Sequence, residues 1–456
     1  MTVRVPEHER LSLGNGVALV LMPRRDVPLV TFNAVLRGGT LCDPSSRPGV
    51  ASLLAALLEK GAGDRNAYAF ADVVEGVGGS FGAGAGPETI GVRGQFLARD
   101  QQLMLELLAD VLLRPLLEEE ELRELAARQV ELIRAAKDSD PAELIGTYGR
   151  AFLFGEHPYG RPVFGSEASL AAIDREDVGR YYDGQFGGDR LILVLAGDID
   201  ADLMARMAAD SFSRWPQAAA PPPVLARPRP LAGRRVLLVD FPGSAQTYFW
   251  VGNVGVDKRY PRRAALDLVN TLFGGRFTSL LNTELRIKSG LSYGARSSFA
   301  RGSVPGEFSL RSFAQTENTG RALDIALRTL DRLRTEGVSR EMLDSARAYT
   351  LGQYPLGLET AADWASMLAD LELYGLGRTY VDDYPAQLAA VGVAEAHAVI
   401  EEAFPAADAV AIVAIGDASR IRAALGEYGP VSQMALTDPE FSGWWASGDE
   451  SRSRGG

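Results

Sequence analysis

The chain repeats itself, and that limits its architecture more than any other feature. Strand-like VALVLMP (17–23) has a counterpart in RVLLVDFP (235–242), and LVTFNAVLRGG has one in QTYFWVGNVG. An apolar helical stretch follows each pair: GVASLLAALLEKG in the first half, RRAALDLVNTLFGG in the second. IGVRGQF then matches FSLRSFA, which pairs Arg93 with Arg311 at an offset of 218 residues (311 − 93). LILVLAGDID matches AVAIVAIGDAS, which pairs Gly197 with Gly416 at an offset of 219 (416 − 197). Two nearly equal offsets over so long a span mark a duplicated domain.

Between the repeats lies Trp215 to Arg234, WPQAAAPPPVLARPRPLAGR. Its prolines lack backbone donors and favour extended chain, as in a linker. The expected organisation is a first domain over 1–214, a Pro-rich linker over 215–234, and a second domain over 235–436. A tail over 437–456, ending SGDESRSRGG, is expected to be flexible. Helical patterns run from Asp100 to Leu113, Glu118 to Lys137, Thr319 to Arg334 and Arg340 to Gln353. The strands alternate apolar and polar residues, as half-buried antiparallel strands do. The fold class is therefore α+β: two duplicated domains, each an antiparallel sheet with helices packed on one face.

Composition removes whole classes of function. With 456 residues, 46% hydrophobic and 23% charged, the chain has the make-up of a globular protein. No apolar run reaches the roughly 18 residues of a membrane helix. A net charge of −12 makes nucleic acid a poor partner, because phosphates need basic patches. The single cysteine, Cys42, excludes an internal disulfide. The start, Met1 to Leu13, is polar and carries no export signal. The expected location is a soluble compartment, the cytoplasm, or the periplasm if a signal has been removed. The three histidines, His8, His157 and His397, are far apart and form no metal-ligand pair at helical spacing.

One stretch of the second half can carry chemistry: LFGGRFTSLLNTELRIKSGLSYGARSSF, 272–299. Gly274 and Gly275 end one helix, Thr278 to Lys288 form the next, and Ser289-Gly290 stop it before a strand begins near Leu291. Arg286 then falls in the last helical turn and Tyr293 early in the strand, so both can be aimed into one space. Taken singly, the two residues suit a plain helix end and a plain strand, and that reading wins on these grounds alone.

The stretch as a whole resembles the second domain of the pitrilysin/insulinase-type zinc peptidases, the group that includes mitochondrial processing peptidase. Those proteins carry a glycine-rich loop followed by x-x-E-L-R-x-x-x-G-L-x-Y. Here the matching residues are Glu284, Leu285, Arg286, Gly290, Leu291 and Tyr293. HPYG at 157–160, followed by Gly165, is similar to a second hallmark. The resemblance implies catalytic roles for Arg286 and Tyr293, as donors to substrate and to the tetrahedral intermediate. It also implies a substrate-binding glycine loop at Gly274 and Gly275. Guanidinium and phenol are both donors, and donors aimed at a developing oxyanion stabilise charge that exists mainly in the transition state.

The family's metal motif is missing. Members that cut peptides carry H-x-x-E-H on the first-domain helix, with two zinc ligands and a general base on one face. Here those positions are Ser52, Ala55 and Ala56. Glu124 and Glu131 keep the seven-residue spacing of the distal acidic pair, which cannot hold zinc without the histidines. In the strand where the family has N-A-x-T, this chain has G-A-G-A, Gly82 to Ala85, and glycine weakens a strand interior. The expected function is that of a non-catalytic subunit of a heterodimeric zinc peptidase. The chain holds no metal ligands of its own, and zinc is expected in a homologous H-x-x-E-H partner that shares a peptide substrate with it. Two alternatives remain. One is a scaffold homologue with no peptidase role, similar to the core subunits of the mitochondrial quinol-oxidising complex. The other is a stand-alone peptidase with an unusual metal site, which the scattered histidines disfavour.

Overall fold

The computed structural model describes residues 3–442. It forms two compact units, and neither is contiguous in sequence. One comprises Met1–Leu132, Pro162–Val224 and Gln353–Asp383; the other Ile133–Arg161, Leu225–Gly352 and Tyr384–Gly456. The change from one unit to the next at Val224 and Leu225 falls inside the Pro-rich segment.

The first unit contains β1 (Glu9–Ser12), β2 (Ala18–Pro23), β3 (Leu29–Arg37), a short hairpin of β4 (Gly61–Ala62) and β5 (Arg65–Asn66), β6 (Ser80–Ala85), β7 (Thr89–Leu97) and β8 (Leu191–Gly197). Six of these form a sheet in the order β1-β2-β8-β3-β7-β6. Every residue of β8, LILVLAG, is buried, as a central strand with helices on both faces requires. β7 alternates instead, because only one of its faces is covered. The Ala361–Tyr374 helix packs on Val20, Met22, Val35, Ile192 and Val194 through Trp364, Ala365 and Leu368. It begins with a Thr360–Asp363 capping box and ends at Gly375, whose φ of 59° suits glycine. Leu19, Leu21, Phe32 and Leu193, on the opposite face, are buried beneath helices that include Gln101–Leu113 and Ala201–Phe212.

The second unit repeats the plan with β9 (Arg235–Asp240), β10 (Gln246–Val254), β11 (Ala295–Arg301), β12 (Pro305–Gln315), β13 (Ala411–Gly416) and β14 (Val431–Ala435). Their order is β11-β12-β10-β13-β9-β14. The paired arginines fall on equivalent strands: Arg93 lies opposite Asn33 on β3, and Arg311 opposite Trp250 on β10. The Ile145–Phe154 helix covers β10 and β13. Its Gly149 lies so close to Trp250 that a Cβ there would stand 2.5 Å from the indole.

Two details refine the duplicated α+β plan. The sheets are antiparallel except where β2 meets β8, β9 meets β13, and β14 meets β9; these pairs are parallel. Each joins strands whose connection crosses over through helices, as parallel pairing demands. Helices also cover both faces of the central strands, and the helix on the second face comes from the other half of the sequence. In the segment expected to be flexible, residues 443–456 lie outside the described residues. Phe441, in the remainder, is buried against the Tyr148 ring with centroids 5.0 Å apart, and the nearby Asp438 carbonyl accepts from Lys137 Nζ at 2.6 Å. No described helix is long and apolar enough to cross a membrane.

Candidate active-site corner

In the second unit, the Arg263–Asn270 helix runs into a π-helical turn over Thr271–Gly275. A short α-helical turn, Leu280–Asn282, capped by Ser279, is followed by a second π-helical turn over Thr283–Lys288. The expected helix from Thr278 is thus only partly α-helical. The wider turn is closed by Ser289 N–H donating to Glu284 O at 3.2 Å. Such turns recur at functional sites. Gly290, with φ 64°, then reverses the chain, and the amides of Leu291 and Ser292 both donate back to Leu285 O, at 3.0 and 3.1 Å. Tyr293 sits in this tight loop, two residues before β11 begins, rather than in the strand itself. The hydrogen bonds back to Leu285 and a local Ser292–Gly294 turn delay the start of sheet pairing.

This loop brings Arg286 and Tyr293 together. The guanidinium carbon lies 4.2 Å from the Tyr293 ring centroid and 4.7 Å from that of Phe277. Among the described residues, the Arg286 side chain makes no hydrogen bond or ion pair, and the Tyr293 hydroxyl has no partner. Tyr293 is 74% exposed. The Glu284 carboxylate, two residues from Arg286 in sequence, is already engaged: Glu284 Oε1 accepts from Arg332 at 2.9 Å and from Lys288 at 3.0 Å. The Arg332 hydrogen bond, ahead of that from Lys288, lowers the Glu284 pKa below its ordinary 4.5. Arg286 therefore keeps its whole fork of donors for an oxygen from outside. Tyr293 also lines a cleft of about 310 Å³ with Leu291, Gln246, Phe313, Gln315 and Asn318.

The glycine loop divides its tasks. Gly274 is buried against β11, and a Cβ there would stand 2.5 Å from Ser297 N; Gly275 is exposed. Asn270 exchanges hydrogen bonds with Ser297, accepting at 2.7 Å and donating at 3.2 Å. Asn282 Oδ1 accepts from Ala295 N–H at 2.9 Å. These two asparagines hold the loop and the helix to β11. Sequence reasoning missed them, and it missed Phe277; Asn282 and Phe277 lie within the matching stretch, and Asn270 just before it.

The motif helix of the first unit, counterpart of the Arg263–Asn270 helix, is built differently. The Val50–Leu57 helix is anchored by Asp43, which accepts from Gly49 N–H at 2.7 Å and Ala51 N–H at 2.9 Å. Ser52 Oγ donates to Val163 O at 2.6 Å, and Ala55 is fully buried. Serine and alanine offer neither imidazole nor carboxylate, so these positions do not fit a zinc ion. Among the described residues, no group of three or more His, Cys, Asp or Glu is placed to hold a metal. Glu124 and Glu131 lie exposed on the Glu119–Ser139 helix. His157 has both ring nitrogens on the backbone, at Tyr159 N (3.1 Å) and Ala226 O (2.9 Å). On the outer strand of the sheet, Glu59 accepts from Ala83 N–H at 2.5 Å, within the G-A-G-A segment. A wider cleft of about 1100 Å³ opens over β3, β7 and β6; the Gly82–Ala85 segment lines it, and Arg286, Tyr293, Gly274 and Gly275 do not.

Known proteins share both halves of this arrangement. Residues 20–167 match the family described as Insulinase (Peptidase family M16), and residues 172–349 match Peptidase M16 inactive domain. An uncharacterized zinc protease of Mycobacterium leprae is 27% identical over 80% of this chain and 82% of its own length. One from Streptomyces coelicolor is 25% identical over 86% of each. In fold, a peptidase M16 inactive domain from Pseudomonas fluorescens superposes with a TM-score of 0.83, covering 90% of this chain and 98% of that one, at 23% identity. With the two family matches together spanning most of residues 20–349, the chain belongs to the insulinase family of M16 peptidases.

Proposed function

We propose that this chain is the non-catalytic subunit of a two-chain zinc peptidase and supplies Arg286 and Tyr293 to the bound peptide. The observation that carries this reading is the unengaged state of both side chains, side by side on a hydrogen-bonded corner. The first unit's motif positions are apolar or already bonded. Zinc, held by a homologous partner bearing H-x-x-E-H, would supply the activated water. This chain's part is to orient a peptide carbonyl and to donate to its oxygen as negative charge develops, a term that grows toward the transition state. Alone, the chain would be inactive. Its relatives are named zinc proteases, which fits a shared scaffold from which one copy has lost the metal site.

The test is assembly. Mixed with an H-x-x-E-H homologue from the same source, the chain is expected to form a heterodimer burying well over the roughly 1,200 Å² of a weak contact. Size-exclusion with light scattering reads the mass, and peptide cleavage should appear only in the mixed peak. Two separate monomers, with no cleavage, would favour the scaffold role.

A further inference from the structure

Exposed apolar side chains are concentrated at the corner. Of the nine large hydrophobic residues left exposed in the described chain, Phe277, Ile287 and Tyr293 belong to this one stretch. A fourth, Tyr349, has its ring 6.0 Å from the Arg276 guanidinium in the same unit. Single exposed apolar residues are ordinary, whereas a cluster beside unengaged donors marks a binding surface. Phe277 is 58% exposed, so its ring adds little buried area to the fold. Its defined contact is the guanidinium of Arg286, 4.7 Å away.

We propose that Phe277 is a positioning residue for Arg286. With Tyr293 it flanks the guanidinium with aromatic surface, so a long, flexible side chain is held without using any of its N–H groups. The bound group is an oxygen of an extended peptide, and that identity rests on the function proposed above. The engagement of Glu284 by Arg332 and Lys288 matters for the same reason, since a free carboxylate two residues away would compete for the fork.

The variants are Phe277→Leu, which keeps apolar bulk and removes the π-face, and Phe277→Tyr, which keeps the ring. Melting temperatures establish that each is folded; if the leucine variant is not, Phe277→Met replaces it. Two readouts are needed. The Nε–H resonance of Arg286 in the full chain, assigned through Arg286→Lys, reports the ring stack directly. Phe277→Leu should reduce its ring-current shift to the part that Tyr293 supplies, and Phe277→Tyr should retain it in full. In the reconstituted heterodimer, Phe277→Leu should lower kcat/KM about two- to fivefold, the scale of one cation–π contact, and Phe277→Tyr should restore it. An unmoved resonance overturns the proposal. So does a moved resonance with unchanged kcat/KM while Tyr293→Phe still impairs cleavage, and in that case the proposed function stands. If Arg286→Ala and Tyr293→Phe also leave cleavage untouched, the function reading fails. Phe277 is then judged by fluorescence anisotropy of a labelled peptide on the isolated chain: weaker binding in Phe277→Leu supports its role, and equal binding ends it.

Discussion

Two regions of this molecule, the motif helix of the first unit and the Arg286–Tyr293 corner of the second, are built in opposite ways. In the first unit Ser52, Asp43 and Glu59 are all engaged by backbone groups. Ser52 bonds Val163, Asp43 holds the helix start, and Glu59 occupies the Ala83 amide on the outer strand. In the second unit the supporting groups are satisfied, through Asn270, Asn282 and Glu284, and the two central side chains are left over. A duplicated fold can thus lose function at one copy by absorbing its polar atoms into the structure. Under the proposed function, the second unit satisfies the groups around Arg286 and Tyr293 and leaves those two side chains for the peptide.

The widest separation between the two regions should appear in rate. In the heterodimer, Tyr293→Phe and Arg286→Ala are each expected to lower kcat/KM by about 10²–10³, as loss of an oxyanion donor does. The tyrosine variant should leave the melting temperature unchanged, because only a hydroxyl with no partner is removed. The arginine variant also loses aliphatic packing and needs its own stability control. Ser52→Ala should leave the rate untouched. Near-normal rates in both second-unit variants would erase the contrast.

Stability should show the reverse asymmetry. Ala55→Glu, a step toward the family motif, places a carboxylate where the side chain is fully buried. Overpacking alone costs about 1–3 kcal/mol, and desolvation adds to it. Chemical denaturation is expected to show this loss without any gain of zinc. A stable, zinc-binding Ala55→Glu variant would mean that the motif helix is a recoverable site.

The smallest effect concerns Glu284. Its folded pKa lies below the ordinary 4.5, chiefly through Arg332. The pair therefore stabilises the fold above that value and ceases to do so as pH falls through the lowered pKa. Wild type should exceed Glu284→Gln by at most about 1 kcal/mol at pH 7. The gap should close on acidification below pH 4.5. A gap that persists in acid would place the role of Glu284 in packing rather than charge.

Much of this architecture is legible in the order of the residues alone. The repeat offsets land on equivalent strands because Arg93 and Arg311 occupy the same register position in their sheets. Continuous apolar runs mark the central strands, β8 and β13, and helical spacing marks the long helices. Three things are hidden. Parallel pairing of β2 with β8 leaves no local trace, because it depends on which strand returns beside which. The π-helical turn at Thr283–Lys288 and the loop placing Tyr293 outside β11 arise from competing backbone acceptors, which side-chain periodicity does not record. Phe277 looks like any aromatic residue, since its meaning lies in a neighbour nine positions away.

The exchange of helices between the two halves of the sequence has a consequence for biosynthesis. The Ala361–Tyr374 helix completes a core that includes Val20 and Met22. The first sheet thus waits, during translation, for a segment more than 300 residues downstream. Its Val35–Ile192–Val194 face remains unshielded until then, an interval in which edge pairing and aggregation compete with folding. Nor can the duplication be cut at the Pro-rich segment into two self-sufficient proteins, since each half would carry away a helix that the other sheet needs. The two halves have become obligate complements within a single chain.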